Sequence, residues 1–143
     1  MILIDANLLL YAYDSSSDQH AQSRRWLQTI LSQPEPVGLP WASLLAFIRI
    51  STSGRALRYP LSIKEALAVV SDWLSAPNVH TINPTERHFQ ILANLLLSGQ
   101  ASGALATDAH LATLAIEHGA TLCTNDRDFA RFPALRVANP LKE

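Results

Sequence analysis

The sequence predicts an α/β protein, a three-layer α/β/α sandwich around a mainly parallel sheet of four or five strands. Three observations lead there. Short, wholly apolar runs such as Met1–Ile4 lack the polar alternation of a strand with one wet face, so they read as strands buried on both sides, as in a parallel sheet. Helical stretches separate these runs, the alternation that gives parallel strands joined by crossover helices. With 143 residues, 48% of them hydrophobic and 16% charged, the chain is long and apolar enough for a full core. We expect one domain over residues 1–143, without repeat, low-complexity tract or linker.

Met1–Ile4 is the first strand and runs into Asp5, and Asn7–Tyr13 reads as a short helix. Asp18 suits the N-cap of a helix over Gln19–Ser32, with Trp26, Leu27, Ile30 and Leu31 inward and Pro34 and Pro36 ending it. Val37–Leu39 is the second strand. Pro40 heads the next helix, where its missing N–H costs nothing, and that helix runs to about Ser51 before Ser53-Gly54-Arg55 breaks the pattern. Ser62 and Glu65 form a capping box opening a helix through Ser75. Val79–Ile82 is the third strand, Pro84 starts a helix ending near Gly99, and Gly103–His118 forms another, stopped by Gly119. Thr121–Thr124 is the fourth strand and Leu135–Val137 a candidate fifth. The Leu/Ala-rich helices after Ser62 and Pro84 are assigned to the core; an exposed apolar stripe on either would suit a dimer or partner surface.

Composition narrows the function. A formal charge of −1 excludes a protein that holds nucleic acid by bulk positive charge, although a local basic patch remains open. A single cysteine, Cys123, excludes an internal disulfide and a thiolate zinc site, and its apolar surroundings assign it to the core. No basic leader precedes an apolar run and no stretch reaches the ~20 apolar residues of a membrane helix, so we expect a cytoplasmic protein.

Asp108 is the residue that asks for an explanation. At about 100° per residue it shares a helix side with Leu105, Leu111, Ala112 and Ala115, while His110, Thr113 and Glu117 occupy the opposite side, read as a solvated face. A carboxylate inside an apolar stripe is costly unless paired, hydrogen-bonded or bound to a cation. Asp5 follows the first strand; Asn125, Asp126 and Asp128 follow the fourth; ligands bind at that C-terminal edge in open parallel sheets. The helix preceding a strand starts at the same edge, so three remote segments aim carboxylates at one place. Crowded carboxylates repel, and a hard divalent cation with oxygen ligands, Mg²⁺ or Mn²⁺, resolves the repulsion while activating water for phosphodiester displacement. Singly, each acid but Asp108 has a plainer reading: Asp5 as a helix cap, and Asp126 and Asp128 as turn residues.

The segments IDANLLLYA, LPWASLLAFIRIST, TDAHLATLAIEHGA and TNDRDFARFPALRVANP resemble the PIN-domain nucleases, in particular VapC-type toxins of toxin–antitoxin pairs, and they span the chain. The resemblance implies a PIN-like parallel sheet and a Mg²⁺-dependent endoribonuclease, Mn²⁺ being a possible substitute. It also implies neutralisation by a cognate antitoxin protein, a homodimer and no membrane partner. Position by position, Asp5 and Asp108 match the principal metal ligands, Asp126 the further acid of the catalytic site, and Asp128 a secondary ligand or a structural residue of that turn. One departure stands out: many relatives carry a glutamate where Ala46 stands, and no acid occurs between Glu35 and Glu65. That departure supports a second reading, a PIN-like RNA- or antitoxin-binding module with impaired catalysis. A third, aspartyl-phosphate chemistry on Asp5, wants a second acid at Asn7 and ranks last.

Asn7 and Thr124 are candidates for supporting the acids. Arg49, Arg55 and Arg58 form a local basic excess that either contacts RNA phosphates or is a solvated loop, except that Arg49, on the LLAFIRI helix, is a candidate to pair with an acid of the site or of the antitoxin. Tyr11, Trp41 and Tyr59 suit core or interface roles better than base stacking. None of the five histidines is assigned chemistry.

Overall fold

The computed structural model describes residues 1–142. Five strands, β1 (Ile2–Ile4), β2 (Val37–Pro40), β3 (Val79–Ile82), β4 (Thr121–Cys123) and β5 (Val137–Ala138), form one sheet in the order β3-β2-β1-β4-β5. Every neighbouring pair is parallel. Six helices connect them: α1 (Ala6–Tyr11), α2 (His20–Leu31), α3 (Trp41–Ser51), α4 (Ile63–Ser75), α5 (His88–Ser98) and α6 (Leu105–Glu117). A short 3₁₀ helix, Arg127–Arg131, leads from β4 toward β5.

Alternation along the strands sorts the core into two layers. Ile4, Leu39 and Cys123 face Leu8, Leu27, Phe47 and Trp73 of α1–α4. Leu3, Ile82 and Leu122 face Leu95, Leu111, Leu114 and Phe129 of α5, α6 and the 3₁₀ helix. The sandwich is therefore three-layered, with Leu3 and Ile4 of β1 and Leu122 and Cys123 of β4 buried between the layers, as their apolar runs require. Gly38 pairs with Leu3 across β1–β2; a Cβ there would lie 2.3 Å from Leu3 Cδ2 and 2.7 Å from Ile82 Cγ1, so only glycine fits.

Most predicted elements stand within a residue or two. The Ser62–Glu65 capping box is present with both hydrogen bonds, and Gly119 ends α6 with φ +62°. Four expectations need correction. Asp18 does not cap α2; Gln19 occupies that position without a side-chain bond. Helix α5 starts at His88, not Pro84, because Thr85 and Arg87 are drawn instead to Glu117 of α6. The last strand is Val137–Ala138 in place of Leu135–Val137, since Leu135 turns inward to the core. The helices after Ser62 and Pro84 are core on one side only: Ile63, Leu67 and Leu74 of α4, and Phe89 and Leu97 of α5, are exposed. No helix among the described residues is long and apolar enough to cross a membrane.

Candidate functional site

From β1 the chain moves outward through β2 to β3, then returns across the sheet to place β4 on the other side of β1. The segments leaving β1 and β4 therefore diverge to opposite layers and open a crevice at the strand ends, the usual ligand position in such sheets. Asp5 directly follows β1, and Asp126 lies three residues beyond β4. Asp108 joins them from the first turn of α6.

Thr124 ties the first two segments together. Its buried hydroxyl donates to Asp5 Oδ2 at 2.7 Å and accepts from the Asp126 N–H at 3.0 Å. The Asn7 amide approaches the same hydroxyl at 3.4 Å, and Asn7 Oδ1 is buried without a hydrogen-bond partner. The other oxygen of Asp5 accepts from the Ala6 N–H at 2.7 Å, so Asp5 caps α1 and faces the crevice at once. Asp126 Oδ1 likewise accepts from the Asp128 N–H at 2.9 Å, the turn conformation its sequence suggests. The plainer readings, a helix cap for Asp5 and a turn for Asp126, are both realised.

Asp108, Asp126 and Asp128 each offer a carboxylate oxygen within 4.8 Å of the others. Burial, then the charges of Asp126, Asp5 and Asp128, push Asp108 up to about 6, with Arg131 opposing. Asp5 is also raised: burial dominates over the hydrogen bonds from Thr124 and Ala6, and Asp126 adds repulsion. No ion pair neutralises these acids among the described residues, where the one such pair is His88–Glu117. The donor set fits a hard divalent cation. All donors are oxygen, Asn7 Oδ1 is a further oxygen with spare capacity, and ligands on opposite sides of one Mg²⁺ stand about 4.2 Å apart. A proton on Asp108 is the alternative way to relieve the repulsion.

Other sequence candidates go elsewhere. Arg49 on α3, and Arg55 and Arg58 beyond it, are exposed, and Arg58 rests over Tyr59 at 5.5 Å; none bonds to an acid of the crevice. Ala46 is half-buried on α3, a helix without any acid to replace a missing ligand. Arg131 escaped the sequence reading although it sits three residues after Asp128, a turn apart. Its guanidinium donates to the Asp128 and Gly99 carbonyls, which holds the charge near Asp108.

The supposed solvated face of α6 is a correction too. Thr113 is fully buried and Glu117 nearly so, because α5 packs along that side. Glu117 accepts from the Thr85 N–H and hydroxyl and pairs with His88, whose other nitrogen meets His110 Nδ1 at 2.9 Å. Burial alone would raise Glu117, yet these bonds hold it below the usual carboxylate range. A polar side chain every third or fourth residue signals a wet face only when nothing covers it, and one helix cannot reveal its neighbour.

Comparison with known proteins adds the family. The PIN domain model matches residues 2–135. Ribonuclease VapC37 of Mycobacterium tuberculosis is 44% identical over 140 residues, covering 98% of this chain and 97% of that protein. Among solved structures, VapBC2 from Rickettsia felis bound to a DNA fragment from their promoter superposes with TM-score 0.70 at 20% identity, covering 97% of this chain and 98% of that one. A toxin–antitoxin complex from Klebsiella pneumoniae superposes with TM-score 0.65 at 16% identity, covering 98% of each chain. The fold, the full-length match and the sequence identity agree: the chain belongs to the PIN-domain family, among the VapC ribonucleases.

Proposed function

We propose that this chain is the toxin of a toxin–antitoxin pair, a Mg²⁺-dependent endoribonuclease in which Asp5, Asp108 and Asp126 form the catalytic metal site. The observation that carries the reading is the cluster of Asp108, Asp126 and Asp128, carboxylates from two remote segments. Asp5, from a third, lies outside that cluster and is tied to the Asp126 turn through Thr124, and none of the four forms an ion pair among the described residues. Asp128 is a further ligand of the same site. Bound there, Mg²⁺ or Mn²⁺ supplies an activated water and stabilises charge developing on phosphate. The protein's part is to hold the acids: Thr124 and the Ala6 N–H fix Asp5, the Asp128 N–H fixes the Asp126 carboxylate, and the first turn of α6 presents Asp108.

A cognate antitoxin and a second copy of the chain are the expected partners. The Klebsiella complex, similar across the whole fold, supports the first. The exposed stripes Ile63–Leu67–Leu74 and Phe89–Leu97 are apolar surfaces that a partner would cover.

The test is RNA cleavage with Mg²⁺ and with chelator, by wild type, Asp5→Asn and Asp108→Asn. Loss of a residue merely supporting a metal ligand costs ~10–100-fold, so loss of a ligand should cost at least about 100-fold while folding persists. Undiminished Mg²⁺-dependent cleavage by Asp108→Asn would overturn the assignment. Ala46 favours one other reading, a binding module; wild type that binds RNA and an antitoxin but never cleaves would establish it.

A further inference from the structure

Beside the acids lies a cavity of about 330 Å³ between the 3₁₀ helix and β5. Asp126 and Thr124 form the wall it shares with the metal site, so an occupant would adjoin the reacting centre. Ala130 and Val137 give it apolar surface, and Val137 is 43% exposed on the edge strand. Arg127 and Lys142 also line it. Both are exposed, and neither forms an ion pair among the described residues. The lining differs from the acidic crevice next door: beside the shared Asp126 it carries two cations, unpaired among the described residues, and an apolar wall.

Asn125 and Asn139 complete the lining. The Asn139 amide is fixed at both ends, donating to Asn125 Oδ1 at 2.8 Å and accepting from the Leu141 N–H at 3.0 Å. Asn125 in turn donates to the Tyr11 hydroxyl at 3.3 Å. Each side-chain amide has two donors and two acceptor sites, so each retains one donor and one acceptor after these bonds. A pair of oriented amides with spare capacity of both kinds is suited to the edge of a nucleobase, as Asn is in base readout generally. The volume is at the small end for ligand pockets, right for one nucleotide unit and not for a folded element.

We propose that this cavity is a subsite for a single-stranded RNA nucleotide adjoining the scissile phosphate, in which Arg127 and Lys142 take backbone phosphate and the Asn125–Asn139 pair contacts the base. The proposal deepens the ribonuclease reading and rests on it, since the cavity gains its meaning from the shared Asp126 wall. It also places RNA contacts on the β4–β5 side, away from the Arg49–Arg58 segment that the sequence singled out.

Binding without cleavage separates the two ideas. A fluorescein-labelled, eight-nucleotide random-sequence RNA is titrated in chelator, read by anisotropy over a range of salt, against wild type, Arg127→Ala, Lys142→Ala and Ala130→Phe. Ala130 is exposed, so the phenylalanine fills the cavity without entering the core. Each charge removal should weaken binding by about tenfold and lower the log–log salt slope by about 0.7, the value for one phosphate contact on a single strand. Ala130→Phe should weaken binding with the slope nearly kept, a split that general unfolding would not produce. The Arg55→Ala,Arg58→Ala variant should bind as wild type does. Unchanged affinity in all three cavity variants, or no RNA bound by wild type, overturns the subsite. Failure of the ribonuclease reading looks different: cavity variants that lose RNA binding, with no Mg²⁺-dependent cleavage by wild type.

Discussion

Thr124 shows how much of the site one hydroxyl can organise. It is 1% exposed and joins Asp5 to the start of the Asp126 turn, so Thr124→Val keeps the shape and deletes the link. The variant leaves the partly buried Asp126 N–H and Asp5 carboxylate each short of a partner, a loss of about 1–3 kcal/mol by chemical denaturation. Cleavage should fall by at least about tenfold, as for other groups that orient metal ligands. Asp108 gives a pH signature. Below the ordinary value of 3.8 it is protonated folded and unfolded alike, and above about 6 it is ionised in both. Between those values the folded protein keeps a proton the unfolded chain has lost, so stability falls as pH rises through that window. Thermal melts in chelator should show wild type losing stability relative to Asp108→Asn from pH 4 to pH 7. A flat difference would mean that neither burial nor the neighbouring acids raise Asp108. The sequence exposed Asp108 because a charge in an apolar stripe breaks a local rule. Arg131 and Thr85 break none, and their roles depend on where distant carbonyls and carboxylates come to rest.

Helices and strands were legible where a residue type has a single structural use. Gly38 is of that kind in the sheet: Gly38→Ala should destabilise by about 1–3 kcal/mol, since both Leu3 and Ile82 are buried and cannot move aside. Urea unfolding measures it, and an unchanged midpoint would show that β1 and β2 can separate locally. The α5–α6 pair marks the limit of legibility. Proline before an apolar run suggested an early start for α5, but Glu117 recruits Thr85 and postpones the first helical turn to His88. His88→Ala should loosen this junction by about 1–3 kcal/mol, because a nearly buried carboxylate loses its partner. Circular dichroism melts would register the change, and an unaffected melt would mean that Thr85 alone satisfies Glu117.

For the molecule as a whole, parallel pairing was readable from unbroken apolar runs, whereas strand order was not, because each crossover leaves either side of β1 open. The convergence of acids survived that ambiguity, since every strand of a parallel sheet ends at one edge whatever its order. The basic segment Arg49–Arg58 had no such geometric constraint, and its charges remain on the outer surface. If the acids hold Mg²⁺, the ion stabilises the entire fold by mass action: at a hundred times its dissociation constant, about 2.7 kcal/mol. Melting temperature should rise on the order of 5–10 °C with Mg²⁺, reverse with chelator, and stay fixed in Asp108→Asn. A wild-type melt indifferent to Mg²⁺ would remove the cation from the site.

The pairing of β1 with β4 joins residues separated by 119 positions, Ile2 with Thr121 through Ile4 with Cys123. During synthesis, β1 waits for β4 until more than a hundred further residues have been made. Asp5 therefore stands alone on the nascent chain, without Thr124 or the other acids, and an interrupted translation product lacks the assembled centre. A cell making this ribonuclease is shielded from half-made copies by the order in which the strands are spoken.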